Sequence, residues 1–293
     1  MTLLASIPSP SSGTIDLGPF TIHMYGLMLL LAIAACCALT GYRWVKWGGD
    51  WDLVFRVAVW GVAFGIVGAR LYHDVTSWDE VPDEWWGPFA VWQGGLGVWG
   101  GILFGVLAGA WIVRRSRQSV RLFMDAAAPG ILLAQGIGRW GNWFNQELFG
   151  KPTDLPWGLE IDPAHRPAGY FDHDTFQPTF LYEFLYDVTG VVILLLVDRL
   201  FRLRRPGLFA LYVAYYCFGR FFEELLRIDP AHEFLGLRLN AWVSAVLFVL
   251  ATAFFIWWQF IRPEGGKDRP RASRVVPSGP AMAVPKSRVR SGH

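Results

Sequence analysis

Residues 179–198 read TFLYEFLYDVTGVVILLLVD, a twenty-residue run in which Glu183 and Asp187 stand one helical turn apart near one end and Asp198 closes the other. A helix rises about 1.5 Å per residue, so roughly twenty residues cross the ~30 Å of hydrocarbon in a bilayer. Six further segments meet that length within a few residues, at about 20–41, 54–72, 91–113, 122–139, 207–225 and 239–261. The expected fold is an all-α integral membrane protein with seven transmembrane helices. The fourth span is the weakest, being rich in Gly and Ala and starting beside Asp125.

Composition agrees. Only 17% of the 293 residues are charged and 53% are hydrophobic, where a soluble domain carries about a quarter charged residues. Disorder, collagen, a disulfide scaffold and an ordinary soluble enzyme are excluded. Cys36, Cys37 and Cys217 all lie in apolar blocks without paired spacing, so neither a disulfide framework nor a zinc site is expected. No basic stretch leads into a short apolar core with a cleavage site, so no removable signal peptide is expected at the N-terminus.

The basic residues set the orientation. Arg43, Lys46 and Arg56 lie in loop 42–56, Arg114, Arg115, Arg117 and Arg121 in loop 114–121, and Arg199, Arg202, Arg204 and Arg205 in loop 199–205. Eight more lie in residues 262–293 against Glu264 and Asp268, so that tail is +6 while the rest of the chain is −4. On the opposite side, the loop with Asp74, Asp79, Glu80, Asp83 and Glu84 has no Lys or Arg. The expected arrangement is an extracytoplasmic N-terminus (1–19), a seven-span unit (20–261) and a basic, disordered cytoplasmic tail (262–293) lying near the anionic membrane surface. A small extracytoplasmic head segment, 140–178, joins spans four and five.

Arg70, Arg139, Arg220, Arg227 and Arg238 fall at the outer ends of spans, at the level of Glu183 and Asp187. Ionisable groups at membrane depth face partners or a watery cavity, so a polar chamber open to the outer leaflet is expected. The inner halves of the spans are nearly bare, apart from Asp125 and Asp198.

Gly136-Ile-Gly138-Arg-Trp-Gly141 matches a dinucleotide fingerprint in form only, because no strand precedes it and no alternating strand pattern is present. Its glycines are expected to turn the chain tightly beside a ligand. From Gly138 to Gly150 the chain places Arg139, Asn142, Asn145, Gln146 and Glu147 among aromatics. Arginine suits a lipid phosphate, because its planar fork binds two oxygens and keeps its charge when desolvated; the plainer alternative is an interfacial loop satisfying its own polar groups. In Gly219–Arg227, residues Arg220, Glu224 and Arg227 share a helical face with Glu223 beside them. That set is either an anchoring ion-pair ladder or a phosphate ligand with Glu224 orienting it. The glycines of Gln93–Gly101 read as close helix packing, and Tyr25 as an interfacial anchor.

Together these stretches, from Ile22 to Trp258, resemble the bacterial prolipoprotein diacylglyceryl transferase family. The most specific part is Gly138–Thr153; Gln177-Pro-Thr-Phe-Leu-Tyr-Glu183, Gly68-Ala-Arg-Leu71 and Arg220–Arg227 are further landmarks. The resemblance implies transfer of the diacylglyceryl group of phosphatidylglycerol to the lipobox cysteine of a prolipoprotein signal peptide. A thioether forms and glycerol 1-phosphate leaves, with no cofactor, metal or nucleic acid. It implies a multi-pass protein of the bacterial cell membrane, with the N-terminus outside and the C-terminus in the cytoplasm. It also implies that Arg139 and Arg220 are essential, with Tyr25 and Glu224 in the catalytic set. Asn142, Asn145, Glu147, Arg70, Glu183, Arg227 and Gln93 would line or support the substrate site.

Two positions depart from the family pattern: Trp99 and Gln177 stand where many members carry histidine. Among the six histidines only His23 and His73 fall near the expected mouth, so no imidazole is expected to serve as base. A transporter or channel would need polar groups at several depths and an inverted repeat, neither of which is visible. A seven-span receptor would have no need of this arginine set.

Overall fold

A computed structural model describes residues 6–263. Seven α-helices carry the fold: α1 (Met24–Lys46), α2 (Trp51–Thr76), α3 (Val98–Arg115), α4 (Val120–Asn145), α5 (Thr179–Leu200), α6 (Gly207–Leu226) and α7 (Leu239–Ile256), the last prolonged by a π turn over Trp257–Ile261. Residues 264–293, nearly all of the expected basic tail, lie outside the described residues, as do residues 1–5 of the expected outer N-terminus.

Six of the helices are long and apolar enough to cross a membrane. The seventh, α6, has the length, but Arg220, Glu223 and Glu224 crowd its last two turns. Large apolar side chains stay exposed all along the helices, among them Leu30, Val59, Leu103, Leu196 and Leu250. Such surfaces suit hydrocarbon rather than water as the solvent. Caps fix two helix starts: the Asp50 carboxylate accepts from the Leu53 amide at 2.7 Å, and the Ser119 hydroxyl from the Leu122 amide at 3.3 Å.

Helices α2 and α3 meet through small residues. A Cβ on Gly68 would lie 2.5 Å from the Gly100 carbonyl oxygen, and one on Gly100 would lie 2.1 Å from that of Gly68. Only glycine at both places allows this backbone approach, as close packing in lipid favours. Gly94 and Gly95 behave differently from the packing glycines they were expected to be. They lie before α3 with φ of 89° and 66°, where the chain turns, so α3 begins later than the expected span.

The fourth helix corrects the sequence reading in two respects. Gly136, Gly138 and Gly141 lie inside α4 and make no turn, and the helix runs on to Asn145 before Gln146 ends it with φ 51°. The connection to α5 therefore starts at 146, not 140. Short antiparallel pairs add a little sheet: β1 (Thr14–Leu17) with β2 (Phe20–His23), β3 (Leu159–Glu160) with β4 (Thr175–Phe176), and β5 (Glu233–Phe234) with β6 (Leu237–Arg238). The second strand of the first hairpin occupies residues expected to open span one. The hairpin's strands alternate apolar Ile15, Leu17, Phe20 and Ile22 with polar residues, a period-2 pattern too short to stand out beside the long apolar runs.

Residues 146–178 form a small unit packed on Phe149, Leu159, Ile161, Phe176 and Phe180. It ties three helix ends together. The Thr179 hydroxyl donates to the Leu148 carbonyl at 2.6 Å, the Lys151 amide to the Leu226 carbonyl at 2.9 Å, and the Gln146 amide nitrogen Nε2 to Asp162 Oδ2 at 2.6 Å. The C-terminal ends of α4 and α6 and the N-terminal end of α5 are thereby held side by side.

Candidate functional site

At those three ends the charged side chains form one continuous chain. Arg139 on α4 and Glu183 on α5 pair at 2.7 Å, and Arg220 on α6 reaches the same Glu183 oxygen, Oε2, at 3.3 Å. Arg220 also pairs with Glu223 at 2.9 Å and, more closely, with Glu224. The fully buried Glu224 carboxylate pairs in addition with Arg238 at 2.7 Å and Arg227 at 3.5 Å. Both of these arginines grip Asp229, Arg227 through Nε at 2.7 Å and Arg238 through Nη2 at 2.8 Å. Burial alone would raise the Asp229 carboxyl, but hydrogen bonds and charge from Arg227 and Arg238 outweigh it and hold the group below the ordinary carboxylate range.

A second layer joins through Arg139, whose Nη1 donates to Asn142 Oδ1 at 3.4 Å. Asn142 donates to Glu147 at 2.8 Å, and Asn145 reaches the same carboxylate at 3.3 Å. Tyr25 sits beside this layer with its ring on Gly141, where a Cβ would come within 2.6 Å of it.

Eight expected residues thus form the linked network: Arg139, Asn142, Asn145, Glu147, Glu183, Arg220, Glu224 and Arg227. Tyr25 lies against it. Arg70 and Gln93 lie elsewhere, around the connection between α2 and α3. The buried Arg70 guanidinium donates to the carbonyls of Gly87 (2.6 Å), Pro88 (3.0 Å), Gly94 (2.9 Å) and Gly95 (3.3 Å) and pairs with Asp74 at 3.0 Å. Its donors are spent on fixing that loop. The Gln93 side chain is exposed in a 3₁₀ turn, and Trp99, in the first turn of α3, is exposed as well.

Arg238, Asp229, Glu223 and Tyr216 join the network although the expected site did not include them. The Tyr216 hydroxyl donates to Glu183 Oε1 at 3.4 Å. Its signal was present, four residues before Arg220 on one helical face. Arg238 was legible only as a span-end arginine at that level and Asp229 gave no signal, since only the return of the chain through β5 and β6 brings them to Glu224.

A cleft of about 180 Å³ opens between α5 and α6, lined by Glu183, Asp187, Tyr216, Arg220 and Glu223 on its polar side and by Tyr186, Phe218 and Phe222 on its apolar side. At its foot Tyr186 and Tyr215 stack at 4.3 Å, each hydroxyl donating to the other's carbonyl at 2.7 and 2.8 Å. Tyr186 lies flat on Gly219, where a Cβ would meet its ring at 2.3 Å. Chemically, the arrangement offers the Arg220 guanidinium, joined through Glu183 to that of Arg139, at a cleft whose exposed wall is mostly apolar, which suits an anion carrying apolar chains.

The family model described as prolipoprotein diacylglyceryl transferase matches residues 12–257. A phosphatidylglycerol–prolipoprotein diacylglyceryl transferase of Frankia alni is 50% identical over 283 residues, covering 94% of this chain and 73% of that protein. One of the same name, numbered 2, from Streptomyces coelicolor is 51% identical over 261 residues, covering 86% and 81%. A third, from Cutibacterium acnes, is 49% identical over 256 residues, covering 86% of each chain.

Proposed function

The chain belongs to the prolipoprotein diacylglyceryl transferase family, and from that premise we propose that its transfer of diacylglyceryl from phosphatidylglycerol to prolipoprotein, the first step of lipoprotein maturation, takes place at the Arg139–Glu183–Arg220 cluster. The observation that carries the placement is the meeting of two arginines from α4 and α6 on Glu183, which together with Arg220 lines a cleft with an apolar wall.

The chemistry follows from the residues. The glyceryl carbon of the lipid gives up its phosphate, so negative charge grows on the departing oxygen. Unit charges about 4 Å apart attract by about 4 kcal/mol at an effective dielectric constant of ~20, against about 1 kcal/mol in water. Arg139 and Arg220, held by carboxylates before any lipid arrives, supply that attraction with little reorganisation. The lipobox cysteine attacks, giving a thioether and glycerol 1-phosphate. Glu224, clamped by three arginines, holds Arg220 in place; Asn142, Asn145 and Glu147 do the same for Arg139, and Tyr25 flanks the entrance. Arg70 acts only through the loop it fixes, which also carries Gln93.

In this reading α6 is the seventh span, its terminal charges belonging to the site. The N-terminus and residues 146–178 face outward from the bacterial cell membrane and the C-terminus faces the cytoplasm, as the basic loops require. Cysteines placed at Asp79 and Arg166 should react with an impermeant reagent on sealed cells, and cysteines at Arg115 and Arg204 should not. Labelling at 115 would overturn the orientation. The activity itself is tested in membranes with labelled phosphatidylglycerol and a lipobox peptide: label should move to the peptide, and replacing the peptide's cysteine should abolish it.

A further inference from the structure

Glu183 occupies an unusual position for a residue beside an anion site. Its Oε2 is shared by Arg139 Nε at 2.7 Å and Arg220 Nη1 at 3.3 Å. Among the ion pairs of the described residues no other carboxylate joins these two arginines: Glu223 pairs with Arg220 alone, and Glu224 with Arg220, Arg227 and Arg238. An oxygen bridging two guanidiniums is where a phosphate oxygen of the lipid would go. The lipid and Glu183 therefore compete for one seat.

We propose that Glu183 is the general base of the transfer, released for that role when the lipid phosphate displaces its Oε2 from Arg139 and Arg220. The inference rests on the transferase reading above. The groups facing Glu183 are Arg139 from α4, Tyr216, Arg220 and Glu223 from α6, and Asp187 one turn along α5. Asp187 is fully buried, and neither of its carboxyl oxygens has a hydrogen-bond partner among the described residues. While both arginines hold Glu183, its Oε2 is occupied by their N–H donors. Once phosphate takes the guanidiniums, that oxygen is left without them, beside Glu223 and Asp187, and is free to accept the thiol proton. The base is thus armed by bound lipid and idle without it.

The step balances without a further reactant. The S–H bond of the lipobox cysteine breaks and its proton goes to Glu183. The sulfur lone pair forms the S–C bond to the glyceryl carbon as the C–O bond to phosphate breaks, leaving that electron pair on the phosphate oxygen. Glu183 then passes its proton to the product phosphate and returns to the arginines as glycerol phosphate leaves. Nothing is oxidised or reduced.

Glu183→Gln tests this, because the amide keeps the size and can accept from arginine but cannot take a proton. In membranes supplied with phosphatidylglycerol and a lipobox peptide, kcat at pH 7 should fall by about 10²–10⁴-fold with the lipid KM unchanged or lower. The deficit should shrink as pH rises past the thiol's value of about 8.5, where thiolate forms unaided. A peptide with selenocysteine in the lipobox, ionised at neutral pH, should restore the variant at pH 7. A deficit that stays constant with pH, that resides in the lipid KM, or that selenocysteine leaves in place would overturn the proposal, as would wild-type rates. Glu223→Gln, assayed in parallel, should lack the pH-compensated pattern; finding it there and not in Glu183→Gln would also overturn it. Should Glu183→Gln fail to accumulate, the wild-type protein decides. Its thiol-peptide rate should show an acidic limb that the selenol-peptide rate lacks, and identical profiles would refute the role. Failure of the transferase reading is separate: wild-type protein would then move no label to either peptide.

Discussion

The two ends of the helix bundle use the same chemistry to opposite effect. At the end opposite the site, Arg43 donates to the carbonyls of Asp125 and Ala126 at 3.1 Å each and pairs with Asp198 at 3.1 Å. Arg205 bridges Asp125 and Asp198 at 3.1 and 2.9 Å, and the Phe209 amide donates to Asp125 at 2.8 Å. Trp47 covers both guanidiniums, at 4.8 and 4.3 Å, and Trp258 donates from its indole nitrogen to the Arg205 carbonyl at 3.1 Å. This cluster is filled by its own partners and lidded by aromatic rings. At the site end the arginines and carboxylates are just as close, but Glu183, Tyr216, Arg220 and Glu223 line a cleft. Density of charge does not distinguish a functional cluster from a structural one. What sets the site end apart is the mostly apolar cleft that part of its network lines.

The strongest way to break this contrast is conservative replacement at both ends. Arg139→Lys and Arg220→Lys should each lose about 100-fold or more of transfer while inserting normally, since lysine keeps the charge and loses the fork. Arg205→Lys should keep most of the rate per folded molecule. Wild-type rates in the first two would reduce the site cluster to an anchor like its counterpart.

Next in size is a loss of stability at the closed end. Arg43→Ala strips Asp198 of one cation and leaves two buried carbonyls without their donor. Asp198 keeps Arg205 at 2.9 Å, so the cost is that of the lost charge-assisted hydrogen bonds, about 1.5–3 kcal/mol each. Thermal unfolding in detergent should show the drop, with turnover of the surviving folded protein unchanged. A fully stable variant that turns over slowly would contradict the division of labour.

A smaller effect sharpens the picture of the cleft. In Gly219→Ala the new Cβ collides with the Tyr186 ring, so the stacked tyrosines at the cleft's foot must move. A several-fold fall in transfer is expected, readable as a higher lipid KM, and an unchanged KM would separate the stack from lipid entry.

The smallest effect concerns pH at the rim. Asp229 is held below its usual range by Arg227 and Arg238. A lowered carboxylate stabilises the fold above its unfolded value of about 3.9, and that contribution fades as pH falls through the folded value. The difference in melting temperature between wild type and Asp229→Asn should be steady at neutral pH and shrink only in acid below about pH 4. A difference that changes between pH 6 and 8, taken as about the neutral range, would point to another group.

What the sequence settled by itself was the length of the helices and the helix ends at which their charged residues stand. Twenty-residue apolar runs announced the helices, and the stretches around Arg139, Glu183 and Arg220 announced the charged cluster at their ends, because height along a helix follows directly from position in it. Residues in one helical turn were legible as neighbours for the same reason, as with Glu224 and Arg220. The tertiary structure alone decided which residues at one depth meet. Arg70 stands at the site's level, yet its guanidinium is absorbed by the loop carbonyls of residues 87–95. Arg238, known from the sequence only by its depth, and Asp229, unremarkable in sequence, close the chain around Glu224 and Arg227. Asp125 and Asp198, isolated acids in an otherwise bare inner half, share Arg205. Helical periodicity fixes the face and height of a side chain, but the neighbour across that face depends on how the helices pack, and that is set by close approaches such as Gly68 on Gly100, whose partner the sequence does not name.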